Sequence, residues 1–217
     1  MKNILKVGRM RKSEIISLAI ILLSFLVGIY FYPKMPDKMA IHWNLQGEVD
    51  GYASKFFGLF LIPFISLVLF LLFIAIPKIE PNIEKFRKYY DRFMILLLGF
   101  LLYVYLLAIF WNIGVRFNMI QLLMPALGIV FYYCGILTEN TKRNWFIGIR
   151  TPWTLRSEKV WERTNKIGGK LFKISGLIAF AGMFFEKYAL IFILLSIILL
   201  IAYTILYSYL EYQKETK

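Results

Sequence analysis

Lys142-Arg143-Asn144-Trp145-Phe146-Ile147-Gly148-Ile149-Arg150-Thr151-Pro152-Trp153-Thr154-Leu155 opens the longest polar stretch of a chain that otherwise reads as membrane, and the stretch runs on to Lys170. It holds the cations Lys142, Arg143, Arg150, Arg156, Lys159, Arg163, Lys166 and Lys170, and three of the five tryptophans, Trp145, Trp153 and Trp161. Short loops this rich in Lys and Arg resist translocation, so the segment is expected on the cytoplasmic side. The interleaved indoles suit the headgroup layer, where an apolar ring and an N–H donor are both satisfied.

Working outward, the 217 residues are 59% hydrophobic and 18% charged. A soluble domain of this size has too much surface to carry so few charges, so lipid is the expected solvent. The single cysteine, Cys134, excludes an internal disulfide and sits in an apolar run, as a buried inert thiol would. One histidine and one cysteine cannot build a His/Cys metal cluster within one chain. The formal net charge of +13 is clustered beside apolar runs. Membrane lipids with anionic headgroups are therefore the expected partners, and no direct nucleic-acid binding is expected.

Six apolar runs predict six spans, over 15–32, 56–76, 93–113, 117–137, 171–185 and 188–210. The first ends in Ile29-Tyr30-Phe31-Tyr32-Pro33 without a small-x-small exit, as an uncleaved span would. Pro63 and Pro125 lie inside spans, which membrane helices tolerate when neighbours satisfy the freed carbonyl. Ile79, Ile83, Phe86 and Tyr90 recur every three to four residues, predicting an interfacial helix that leads into the third span. Asn112, Gly114 and Asn118 mark a tight turn, and Glu186 with Lys187 marks the last one. Gly176 and Gly182 lie on neighbouring turns of the fifth span and predict close helix contact there.

Six spans put both termini on one side, and charge says which. Lys and Arg number five, five, eight and two across the N-terminal tail, the two inner loops and the C-terminus, against three, one and one on the outer side. Twenty against five, with Lys173 at the start of the fifth span, makes both termini cytoplasmic. The fold class expected is all-α: one polytopic bundle of six transmembrane helices, with a module over residues 1–92 and a second over 93–217.

The outer loop, 33–55, is dense in turn residues. Gly47 and Gly51 accept positive φ, and Asn44 and Asp50 hydrogen-bond nearby backbone, so a compact structured loop is expected. His42, Trp43 and Asn44 place a ring, a donor and an acceptor together, suited either to a polar ligand or peptide or to anchoring and turn closure. His42, Glu48 and Asp50 match no metal signature, and acid–base work by His42 with Asp50 has only Ser54 as a neighbouring nucleophile. Neither a metal, a cofactor nor a catalytic set is expected.

In the inner loop, Ile147 to Thr154 is expected to be extended, because Pro152 pushes Thr151 away from helical angles. Ser157 is the expected N-cap of a helix with Glu158 in its first turn, ending at Gly168-Gly169. Trp161 and Thr164 share a face with Val160 and Ile167. Arg150 suits a bidentate grip on carboxylate or phosphate; the alternative is a brace to Glu139 or a lipid phosphate.

Two runs resemble a known family. His42-Trp43-Asn44, Gly47, Asp50-Gly51-Tyr52 and Lys55 after a first span look like the small domain of unknown function that begins SdpI-family proteins. Lys142 to Thr154, then Val160-Trp161, Thr164-Asn165 and Gly168, resemble that family's second half, and 83–89 its middle loop. The family's usual histidine after the Thr164 position is Asn165 here. The resemblance implies a membrane immunity protein against a secreted killing peptide that, with toxin engaged, sequesters a DNA-binding repressor at the membrane. It assigns the toxin to the outer loop (His42, Trp43, Asn44, Gly47, Asp50). It assigns a protein partner or headgroups to the inner loop (Asn144, Arg150, Thr151, Trp153, Trp161). A membrane-embedded enzyme acting on lipid or peptide, and a structural or lipid-organising membrane protein, are the competing classes. Spans free of ionisable residues apart from Lys173, placed near a helix end where it can snorkel, argue against a transporter.

Overall fold

The computed structural model describes residues 10–44, 46–185 and 188–216. Helix α1 spans Lys12–Phe31, strands β1 (Lys38–Trp43) and β2 (Val49–Ser54) form an antiparallel hairpin, and α2 spans Lys55–Ile79. Helices α3 (Arg87–Asn112) and α4 (Met119–Asn140) follow, then the short α5 (Pro152–Arg156), α6 (Glu158–Ala181) and α7 (Ala189–Thr216). Among the described residues six helices are long and apolar enough to cross a membrane: all but α5. The six expected spans are present. The expected turn at Glu186 and Lys187, and the cations Lys2, Lys6 and Arg9 of the tail, lie outside the described residues.

Chain reversal at every connection gives the bundle two unlike ends. The hairpin and the turn between α3 and α4 share one end, where Asn112 reaches Ala40. The other end gathers the start of α1, the turn between α2 and α3, and residues 141–157. There Ser13 donates to Asp91 at 3.0 Å, Arg87 to the same carboxylate at 2.7 Å, and Asn82 to the Arg143 carbonyl at 3.0 Å. The turn after α2 differs from the amphipathic helix expected there. Helix α2 runs on to Ile79, and Pro81–Phe86 forms a 3-10 turn whose side chains Ile83 and Phe86 are buried.

One core joins α1, α2, α3 and α4 through Ile21, Phe70, Phe73, Tyr90, Met94, Leu98 and Leu137, so packing is continuous across residue 92. A second joins α4, α6 and α7 through Ile120, Met124, Ala179, Ala189 and Ile193. Pro77, inside α2, has no N–H to offer the Phe73 carbonyl one turn back. Tyr90 of α3 donates its hydroxyl to that carbonyl at 3.0 Å. A lipid-facing helix gains nothing from water at such a defect, so a neighbouring hydroxyl is the available remedy.

The closest seam lies between α4 and α6, and glycine makes it. A Cβ on Gly135 would stand 2.4 Å from the Gly169 carbonyl, and one on Gly176 would stand 2.7 Å from the Gly128 carbonyl. Gly128 and Gly135 are seven apart, as are Gly169 and Gly176, so each helix presents one bare stripe to the other. Gly182, as expected, also lies in a close contact, with Met124 and Ala189. This seam corrects two expectations. The inner-loop helix does not stop at Gly168-Gly169, because those glycines serve packing: Gly168 receives the Ile149 side chain and Gly169 meets Gly135. The fifth span is therefore continuous with the amphipathic helix before it, 24 residues in all. Lys173 consequently stands mid-helix and pairs with Glu139 at 2.6 Å instead of snorkelling from an end.

Because a Gly135 side chain would strike the backbone at the Gly169 carbonyl and Lys173 N as well as the Lys173 side chain, relief requires the helices to part. Gly135→Val is expected to destabilise the bundle by about 3 kcal/mol or more, read as a lowered unfolding midpoint of the detergent-solubilised protein. Gly99→Val, at a glycine with open space around its Cβ, is expected to leave the midpoint nearly unchanged.

Candidate functional site

The outer-loop expectation was a compact loop; the structure makes it a bulged hairpin. Lys38 faces Ser54, Met39 faces Ala53 and Ala40 faces Tyr52, but His42 faces Gly51 and Trp43 faces Val49. These slips break the alternation from which a strand is read in sequence. Met39 and Ala40 are consecutive and both fully buried, while Ile41 and His42 are consecutive and both exposed.

Asn44 builds the tip. Its side-chain oxygen accepts from the N–H groups of Gln46 and Glu48, both at 2.9 Å, and its amide donates to Glu48 Oε2 at 3.3 Å. Gly47 adopts φ +78° against Asn118, whose own side chain caps α4. Trp43 packs edge-on against Trp111 with ring centroids 5.6 Å apart. Asn112 anchors the hairpin edge: its side chain accepts from Ala40 N–H at 2.8 Å and donates to Ala40 C=O at 2.9 Å. A helix-terminal amide thus completes the strand as a third strand would.

What remains outward is His42 with Asp50. Their side chains meet at 2.5 Å, Nδ1 to Oδ1, and both are open to solvent. The carboxylate fixes the ring's orientation and leaves Nε2 directed away from the pair. Ser54 caps α2 and lies opposite Lys38, four register positions from His42 and so about 13 Å along the strand. Ser54, the neighbouring nucleophile expected from the sequence, is therefore out of the dyad's reach. Glu48 turns back to Asn44, and among the described residues no three of His, Cys, Asp and Glu side chains converge.

At the opposite end, residues 141–157 fold tightly on α6 and α7. Asn144 is buried and fully used: its oxygen accepts from Phe146 and Ile147 N–H at 2.8 and 2.7 Å, and its amide donates to Lys142 and Ile147 carbonyls at 2.7 and 2.8 Å. Gly148, at φ +117°, lets the chain pass over Asn165 and Trp161. Asn165 accepts from Ile149 N–H at 2.7 Å and donates to the Trp161 carbonyl at 3.0 Å. Thr151 is extended, as Pro152 requires, caps α5 together with Thr154, and its hydroxyl reaches Ser208 of α7 at 3.0 Å. Pro152 then starts a helical turn where extended chain was expected, since proline is pre-set for a first helical position. Ser157 caps α6 as expected.

The tryptophans divide. Trp145 is 67% exposed, Trp153 is half-buried against Tyr209 at 5.2 Å, and Trp161 is fully buried with its N–H given to the Thr141 carbonyl at 3.2 Å. Trp161 therefore departs from the headgroup-layer expectation, because α6 turns it inward beneath the loop. Arg150 is exposed and donates to the Trp145 carbonyl. The brace to Glu139 is not formed; Lys173 holds that carboxylate. Glu80, which the sequence reading passed over, accepts from Trp145 N–H at 3.2 Å while buried, and ties the loop to α2. Its position just past the α2 C-terminus carried no spacing signal.

Residues 140–208 match the SdpI/YfhL protein family and residues 19–67 match a domain of unknown function, DUF1648. Over residues 140–208 the chain is similar to the SdpI/YfhL family. A curated relative, the immunity protein SdpI of Bacillus subtilis (strain 168), is 28% identical over 204 residues, covering 94% of this chain and 97% of its own. No solved structure matches the chain. The match to the domain of unknown function takes in most of α1, the hairpin and the first half of α2. The SdpI/YfhL match takes in the buried knot around Asn144, Gly148 and Trp161.

Removing the Asn112 side-chain amide strands two backbone groups of Ala40. Asn112→Ala is expected to cost about 1–3 kcal/mol locally, seen as faster hydrogen exchange across Met39–Trp43 with the exchange of α3 mid-helix unchanged.

Proposed function

We propose that this chain is a multi-pass membrane immunity protein that protects the cell carrying it against a secreted membrane-active peptide. In this reading the hairpin faces outward, both termini and residues 141–157 face the cytoplasm, and the peptide is met at the hairpin. The single observation that carries the assignment of the peptide site is the exposed His42–Asp50 pair on a hairpin clamped to the bundle. A ring held by a carboxylate, beside the exposed Ile41 and Tyr52, offers polar and apolar contact at one point. Support for immunity as the role comes from the relative named above and from the family match. Support for the orientation comes from the excess of Lys and Arg at the end that carries residues 141–157.

The inner face has a second part in this proposal: docking a cytoplasmic protein, a DNA-binding repressor in the reading that the resemblance implies. Exposed Trp145 and Arg143 line a cleft of about 290 Å³ with Asn82 and Leu155, and exposed Phe146 and Arg150 follow in the same loop. Tryptophan and arginine together are the residues most enriched in strong protein contacts. Coupling between the two ends requires the peptide to bind two bundle conformations with different affinity.

Expression in a peptide-sensitive host tests the first part. Wild type is expected to raise survival, and His42→Ala to lower protection at least about tenfold in tolerated peptide, a loss of about 1.4 kcal/mol of binding. Equal survival with and without the wild-type chain, across membrane-active peptides, would remove the immunity reading. Single cysteines at positions 42 and 150 in a Cys134→Ser background should label from opposite sides of intact cells; labelling from one side would overturn the orientation. Arg150→Ala is expected to abolish capture of the cytoplasmic partner while leaving survival intact, and loss of both at normal expression would mark Arg150 as structural.

A further inference from the structure

The α4–α6 seam opens to the membrane at two places that the immunity reading does not use. At the end that carries residues 141–157, a cleft of about 600 Å³ is lined by Lys142, Lys166, Lys170 and Lys173 with Glu139 and Glu162. Two of these lysines are neutralised, Lys142 by Glu162 at 2.8 Å and Lys173 by Glu139 at 2.6 Å. Lys166 and Lys170 have no carboxylate partner among the described residues. The cleft therefore keeps two uncompensated positive charges, one turn apart on α6. Further along the seam lies an apolar groove of about 400 Å³, floored by Gly128 and Gly176 and walled by Ile129, Tyr132, Leu177 and Phe180.

The two openings share one face of α6. Lys166, Lys170, Lys173, Leu177 and Phe180 follow at intervals of four, three, four and three residues, which is one helical stripe. From Lys170 to Phe180 is ten residues, about 15 Å of rise, which is half of a ~30 Å hydrocarbon core and so the depth of one leaflet. The glycines matter here because their backbones touch, so the floor of the groove is the helix contact itself. Charge at headgroup level and an apolar channel one leaflet deep, on one line, are the two halves of one ligand.

We propose that the α4–α6 seam holds one acidic phospholipid, its phosphate between Lys166 and Lys170 and one acyl chain in the groove over Gly128 and Gly176. The inference rests on the chain spanning a membrane and not on the immunity reading. If the Lys- and Arg-rich end is cytoplasmic, the ligand comes from the leaflet in which anionic lipids attract basic juxtamembrane segments. The Glu139–Lys173 pair lines the basic cleft, and Lys173 stands between Lys170 and Leu177 on the α6 stripe, so a seated lipid would pass over it.

The test uses the full chain purified in neutral detergent, with bound lipid counted by native mass spectrometry. Dioleoyl phosphatidylglycerol, dioleoyl phosphatidylcholine, dihexanoyl phosphatidylglycerol and inorganic phosphate are titrated in turn. One long-chain phosphatidylglycerol is expected to be retained over phosphatidylcholine by about tenfold or more, the order expected of two lysines at a charged surface. The exposed pair K166Q/K170Q should erase that preference, while K78Q/K88Q, which removes the same charge elsewhere, should keep it. Equal retention of the two long-chain lipids, or the same result from both lysine pairs, would overturn the proposal. So would competition by inorganic phosphate or the dihexanoyl lipid as strong as by the dioleoyl lipid, which would reduce the cleft to a plain anion site.

Discussion

The backbone contact between α4 and α6 is the constraint on which the rest of the molecule depends. Lipid supplies no hydrophobic force to press helices together, so association rests on dispersion and close approach. Gly128, Gly135, Gly169 and Gly176 let the two backbones touch, which fixes the depth of α6 against α4. That placement puts Trp161 under the Thr141 carbonyl and Asn165 under Ile149. It also sets Glu139 opposite Lys173, so that an ion pair satisfies two groups that would otherwise face hydrocarbon alone. The knot of residues 141–157 is built on this seam, and its buried polar groups would lose their partners if α6 slid by a turn.

The two ends of the bundle solve one problem in different ways. Irregular backbone near a membrane needs its N–H and C=O groups paired from within the protein. At the hairpin end a single amide side chain, Asn112, does this for Ala40. At the other end three amides and carboxylates, Asn144, Asn165 and Glu80, share the task across the longer segment. Each is buried, or nearly so, and each spends its polar atoms on backbone. They are consequently building elements, whereas His42, Asp50, Trp145 and Arg150 are exposed.

The six spans were legible because twenty apolar residues with few charges have no other stable place in a chain. The cap at Ser157 and the turn marked by Asn112, Gly114 and Asn118 were legible for similarly local reasons. The hairpin was not, since the bulges at Ile41 and Asp50 scramble the two-residue alternation by which strands are read. Glycine was read with the wrong sign at Gly168-Gly169: the same missing side chain that ends a helix in water lets two helices meet in lipid. Trp161 was assigned to the headgroup layer by its type, whereas burial depends on which neighbour sits across from it. Residue identity alone did not show that Asn144 and Thr151 are inward and Trp145 outward; that division depends on the fold of the loop as a whole.

The knot around Asn144, with Ile149 seated over Gly168 and Thr151 bonded to Ser208, makes the long basic segment a finished surface before anything touches it. A disordered segment of similar charge would surrender much of its contact energy to becoming ordered. Here that entropy has already been spent in folding the chain, so any contact with the indole and the guanidinium groups exposed there would lose little to ordering.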